Sequence, residues 1–136
     1  MLVVDASVLA TALGDDGADG DTARGRLRGQ DLAAPELIDL EVASVLRRQL
    51  SVGKVDARRA GLALDDLLDL PMQRAPHGPL LRRCWELRGN LSIYDAAYVA
   101  LAEVLDVRLV TADARLAKAP GVKCAVEVLS TQRARS

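Results

Sequence analysis

Four carboxylates in this 136-residue chain stand at the ends of apolar runs or inside them: Asp5 in LVVDAS, Glu41 in LIDLEVAS, Asp95 in SIYDAAYVALA and Asp113 in LVTAD. Each has an ordinary local explanation. Ser92 and Asp95 form S-x-x-D, a version of the capping box, and Asp5 can accept backbone donors at a strand-to-helix turn. Asp113 can cap the helix after it, and Glu41 can pair with Arg48 or Arg82. Brought to one place, however, they repel by about 3 kcal/mol per close pair, at ~5 Å and an effective dielectric of ~20. A hard divalent cation among them removes that repulsion, and Mg²⁺ or Mn²⁺ takes oxygen ligands while keeping waters for substrate phosphates. Zinc does not suit a chain with one histidine and two cysteines, Cys84 and Cys124, that form no C-x-x-C pair. A carboxylate-held metal with open positions activates water and neutralises charge on a phosphoryl oxygen, so phosphodiester hydrolysis is the chemistry this set suggests.

Whether the acids meet depends on the elements that carry them. The apolar run LVV reads as a buried strand over Leu2–Val4 with Asp5 at its end. A short helix from Ala6 runs into the turn GDDGADGD, after which Asp21 or Thr22 caps a helix through ARGRLRG. DLAAPE is a second strand, closed by Pro35, and a helix follows over 36–50. There Leu37, Glu41, Val45 and Arg48 share a face by spacing, with Leu37 and Val45 expected in the core. Asp56 caps the helix DARRAGLALDDLLDL, PMQRAP is a third strand, and GPLLRRCWELRG is an amphipathic helix ended by Gly89. SIYDAAYVALAEVL is a helix whose Ala96, Ala97, Ala100 and Ala102 allow it close to a sheet. VRLVT is a buried strand, ADARLAKA a short helix, VKCAV the last strand, and TQRARS a polar tail expected to fray.

Strands alternating with helices predict an α/β fold of three layers, a central and mainly parallel sheet of four to five strands with helices on both faces. One domain is expected over 1–130, with 131–136 as the tail. In open parallel sheets ligands bind outside the carboxyl ends of the strands. Asp5 and Asp113 follow strands at that edge, and Glu41 and Asp95 lie near the starts of helices expected to begin there.

Composition narrows the classes. Half the residues are hydrophobic and 27% charged, as in a folded globular chain, and no apolar run of membrane-spanning length occurs. Aromatics are only 2%, so no set of stacking rings is available for single-stranded bases. The formal net charge of −1 gives no overall attraction to nucleic acid, so any such contact must come from local patches. Those patches would be mostly arginine: Arg24 and Arg28 at helical spacing, and the pairs Arg47-Arg48, Arg58-Arg59 and Arg82-Arg83. For any one of them a solvated face is the ordinary reading. His77 in APHGP reads as a surface residue, Trp85 as core or dimer interface, and the cysteines as reduced core residues of a cytoplasmic protein.

The ordered set LVVDASVL, APELIDLEVASVLRR, LSIYDAAYVALAEVL and VRLVTADARLA resembles the PIN-domain ribonucleases, specifically VapC-type toxins of toxin–antitoxin pairs, over residues 2–128. The resemblance implies that Asp5, Asp95 and Asp113 bind Mg²⁺ or Mn²⁺ directly or through water and that Glu41 helps position metal or water. It implies that Ser7 and Thr111 hydrogen-bond those carboxylates, and that Ser44 stands where asparagine is frequent. It implies an RNA substrate, homodimers, and a toxin–antitoxin hetero-oligomer with a small antitoxin covering the active-site groove. Two alternatives differ in class. A non-catalytic PIN-fold binding module goes with a broken acidic set, and all four positions are intact. A phosphatase with an aspartyl nucleophile at Asp5 needs D-x-D, and residue 7 is serine.

Overall fold

The structure is a computed structural model, and it describes residues 1–130. Its centre is β1 (Leu2–Val4), three apolar residues with both faces covered, as a central parallel strand requires. The chain continues through α1 (Ala6–Gly14), α2 (Ala18–Leu27), β2 (Leu32–Pro35), α3 (Ile38–Ser51), α4 (Ala57–Asp69) and β3 (Gln73–Ala75). A 3₁₀ turn at Gly78–Leu80 leads to α5 (Leu81–Glu86), then α6 (Ile93–Leu105), β4 (Leu109–Thr111), α7 (Ala114–Lys118) and β5 (Val126–Val128). The five strands are all parallel in the order β3-β2-β1-β4-β5.

That order places a reversal between β1 and β4. The chain first builds outward through β2 and β3, then returns past β1 to lay β4 on its other side, with Val3 opposite both Ala33 and Leu109. Helices α1 to α4 pack among themselves, while α6 packs with α5 and lies on β1, β2 and β4. Right-handed crossovers put these groups on opposite faces. From Ala96 to Ala102 every residue of α6 is buried, which suits a helix enclosed by sheet and α5, and its alanines permit the close approach. It ends at Asp106 with φ of 54°, a left-handed conformation that aspartate tolerates, and the chain turns back into β4.

Four local expectations differ from the structure. Helix α2 starts at Ala18 rather than after Asp21, because the Asp15 carboxylate accepts from the Gly17 amide and Asp19 and Asp21 then lie in the first turn. The core stripe of α3 is Ile38, Val42 and Leu46, while Leu37 and Val45 are half-buried on its flank. Helix α5 is shorter than predicted, since the chain from Leu87 to Asn90 tightens into bonds such as Arg88 N to Trp85 O. Trp85 there is 61% exposed, so it is not a core residue. The last strand is Val126–Val128 rather than 122–126. Gly121 O accepts from Arg83, and Lys123 N donates to Glu103, so this stretch is held by α5 and α6 instead of the ladder.

The other strands lie close to expectation. Pro71 and Pro76 bracket β3 from outside its ladder, and β3 is an edge strand, where proline neighbours do least harm. Both cysteines are free thiols, Cys84 buried and Cys124 half-buried. No helix among the described residues is long and apolar enough to cross a membrane. The polar tail expected at 131–136 lies outside the described residues.

Glycines of α2 offer a test of this packing. A Cβ on Gly20 would sit 1.8 Å from the Asp15 carbonyl oxygen, whereas one on Gly25 would meet nothing within 4 Å. Gly20→Ala should therefore lower stability by about 1–3 kcal/mol, and Gly25→Ala should raise it by up to about 1 kcal/mol through helix propensity. Urea unfolding of the two variants checks the opposite signs.

Candidate functional site

Asp5 leaves the end of β1 and caps α1, and its carboxylate is held by three donors. Ser7 Oγ donates to Oδ1 at 2.6 Å, the Val8 amide to the same oxygen at 3.2 Å, and the Thr111 hydroxyl to Oδ2. The two hydroxyls are themselves fixed. Ser7 Oγ accepts from the Ala112 amide and Thr111 Oγ1 from the Asp113 amide, so the carboxyl ends of β1 and β4 are stitched through one carboxylate. Burial pushes the Asp5 carboxyl above the ordinary range, opposed by its donors and reinforced by the charge of Asp95.

Glu41 lies in the first turns of α3 and its partner is Tyr98, whose hydroxyl donates to Oε1 at 2.5 Å. Neither Arg48 nor Arg82, the partners foreseen from the sequence, makes that contact. Burial raises the Glu41 carboxyl, Tyr98 opposes the shift, and Asp95 and Asp5 add to it. Burial and these carboxylates push the Tyr98 phenol far above its ordinary value, so it remains a donor. Sequence reasoning missed Tyr98, although it stands three residues after Asp95 on one helix face and a buried tyrosine hydroxyl needs a partner.

Asp95 opens α6. The Ser92 hydroxyl accepts from the Asp95 amide at 3.0 Å, which is half of the expected capping box. Among the described residues the Asp95 carboxylate accepts no hydrogen bond. Asp113 caps α7 by accepting from the Arg115 amide, and its carboxylate is gripped by the Arg115 guanidinium, with Nη2 to Oδ2 at 2.6 Å. That pairing holds the Asp113 carboxyl below its ordinary value.

Asp5, Glu41, Asp95 and Asp113 all line one pocket of about 250 Å³ at the carboxyl edge of the sheet. Ser7, Ser44, Tyr98 and Arg48 complete much of its wall. Thr111 is buried behind Asp5. His77 is elsewhere: its Nε2 accepts from the Leu37 amide at the start of α3. As they lie, no three acidic, histidine or cysteine side chains among the described residues close on a single point. Asp5 is turned onto Ser7 and Thr111, Glu41 onto Tyr98 and Asp113 onto Arg115. The donor set is nonetheless all oxygen, mutually repelling, and includes a carboxylate, Asp95, that is free of protein donors among the described residues. Its chemistry fits a hard divalent cation.

The PIN domain family profile matches residues 2–122. The chain is similar to ribonuclease VapC1 of Mycobacterium tuberculosis, 44% identical over 128 residues that cover 93% of this chain and 96% of that one. Among solved structures it resembles PAE2754 from Pyrobaculum aerophilum, with a TM-score of 0.67 at 28% identity, covering 93% of this chain and 83% of that one. VapBC2 from Rickettsia felis, solved bound to a DNA fragment from their promoter, shares the fold at a TM-score of 0.67 and 14% identity, covering 93% of this chain and 97% of that one.

The raised carboxyls carry a pH signature. Asp5 and Glu41 bind protons more tightly folded than unfolded, so the instability from their charge is full above the raised values and is relieved as pH falls through them. Asp113 acts oppositely, its stabilisation being lost only below the ordinary carboxylate range. Asp95→Asn removes one charge at nearly constant shape. In chelating buffer near pH 7.5 it should raise the Tm by a few degrees, for about 1 kcal/mol of relieved repulsion. The gain should shrink as pH falls toward the ordinary carboxylate range and Asp5 and Glu41 take up protons. Thermal melts across that range test this, and a gain independent of pH would contradict it.

Proposed function

The chain belongs to the PIN-domain family of VapC-type ribonucleases, and on that premise we propose that it is a Mg²⁺- or Mn²⁺-dependent endoribonuclease, the toxin of a toxin–antitoxin module. The observation that carries this reading is the gathering of Asp5, Glu41, Asp95 and Asp113 in one pocket at the switch between β1 and β4. Such a collection of like charges serves stability poorly and serves a cation well.

Asp5, Asp95 and Asp113 would hold the cation, directly or through water, with Glu41 assisting. Bound there, the metal supplies the charge that lowers the pKa of water and neutralises the phosphoryl oxygens. The protein supplies position. Asp5 is fixed in both oxygens by Ser7, Val8 and Thr111, so it presents one orientation to substrate. Asp95 sits in the first turn of α6, where the helix dipole favours a carboxylate, and among the described residues it has no competing protein donor. Tyr98 holds Glu41 over the pocket, where its carboxylate can orient a water toward the scissile phosphorus. Ser44 lines the same wall and can donate to water or phosphate.

The same kinship supports a small protein antitoxin as regulatory partner, a homodimeric state and a cytoplasmic location, the last also suited to two free thiols. Two measurements test the central reading. RNA cleavage should require Mg²⁺ or Mn²⁺ and fall by more than about 100-fold in Asp5→Asn, which also loses the bond from Thr111, and in Asp95→Asn, whose circular dichroism should be unchanged. At about 100 times its Kd the metal should also stabilise the fold by about 2.7 kcal/mol, at matched ionic strength, and Asp95→Asn should lose most of that gain. Full activity in either variant, or no thermal shift with metal, would count against the site.

A further inference from the structure

A second groove, of about 640 Å³, adjoins the acidic pocket, and Asp95 lines both. Its remaining charged walls are cationic: Arg88 from the turn after α5, and Arg115 and Lys118 from α7. Arg115 grips Asp113, but the other two have no carboxylate partner among the described residues. In a chain with net charge −1, that is a local excess of positive charge directly beside its most acidic pocket. The Arg88 guanidinium stacks over the Trp85 ring, 4.5 Å from its centroid, and Trp85 is 61% exposed. A guanidinium on an exposed indole offers both a phosphate contact and a face for a base. Asn90, in its wall, donates Nδ2 to Pro120 O at 3.0 Å, which ties the turn after α5 to the chain after α7.

We propose that this groove is the track for the single-stranded RNA flanking the scissile phosphate, with Lys118 and Arg88 contacting backbone phosphates and the Trp85–Arg88 stack supporting a base. The proposal rests on the ribonuclease reading and adds where the strand runs. A polyanion approaching four carboxylates is repelled, and cations across the shared Asp95 wall offset that repulsion along one direction only. An acidic protein would find the same charges, but it has no use for continuity with the acidic pocket.

The probe is a fluorescein-labelled 20-nucleotide RNA of random sequence, with affinity read by anisotropy in chelating buffer across a salt series and kcat/KM read in Mg²⁺. Arg88 and Lys118 touch none of the pocket carboxylates, so their removal leaves those side chains intact. Arg88→Ala/Lys118→Ala should weaken binding by about 10-fold or more near 0.1 M salt and lower the slope of log K against log salt by about 1.4, roughly 0.7 per lost phosphate contact. kcat/KM should fall alongside. Arg47→Ala/Arg58→Ala, at two exposed arginines outside the groove, should change neither. If wild type cleaves the RNA and the two double variants behave alike, the track is wrong while the ribonuclease reading stands. If wild type neither binds nor cleaves RNA, both fall. Unchanged RNA affinity with weakened capture of a co-expressed protein partner would reassign the groove and overturn the proposal.

Discussion

One buried carboxylate joins the two halves of this molecule. Asp5 is only 7% exposed, and an ionised carboxylate in such a place is strongly destabilising unless it is fully hydrogen-bonded. Ser7 and Thr111 meet that demand, and because both hydroxyls also receive backbone amides from the segment after β4, they fix β4 against β1. The strand order reverses at this seam. A crevice at the reversal is therefore a property of the topology, and the acid at its base is held there by the same bonds that hold the sheet.

The helices complete the crevice through a second buried polar contact. Tyr98 from α6 and Glu41 from α3 come from opposite sides of the sheet's edge, and their short bond ties the two helix starts together. Stability and chemistry are opposed here. Burial and mutual repulsion raise Asp5 and Glu41, and the Asp95 carboxylate, which accepts no hydrogen bond among the described residues, is met by the charge of Arg115 without an ion pair. Proteins keep such arrangements where function requires them, and offset them elsewhere.

Much of that offset is arginine. Arg24 donates to the Ala12 and Asp15 carbonyls and so closes the end of α1. Arg59 reaches Leu13 O, Arg74 reaches three carbonyls and Asp39, and Arg83 joins Glu103 to Gly121 O. These side chains act as staples between elements. Three of the arginines that look like a nucleic-acid patch in the sequence, Arg24, Arg59 and Arg83, are thus occupied internally.

The elements were largely legible because their signals are local. LVV and LVT are short apolar runs with an acid or hydroxyl at the end, and SIYDAAYVALAEVL carries its own serine cap. The gathering of four acids was legible too, since a parallel sheet sends every strand's end, and every following helix start, to one edge. The misreadings at β5 and at Glu41 fell where distant contacts decide, whereas those at α2 and α5 turned on local bonds, Gly17 N to Asp15 and Arg88 N to Trp85 O. The start of β5 depends on bonds from 121–123 to α5 and α6, and the partner of Glu41 on a tyrosine 57 positions away. Which acid is buried, which is gripped by arginine and which stands free cannot be read from residue type, because Asp5, Asp113 and Asp95 are the same residue. The sequence by itself determined the fold's alternation and the edge at which its acids collect, through local propensity and strand direction. Only the tertiary structure decided their electrostatic states, because burial and partners come from residues that the chain order keeps far apart.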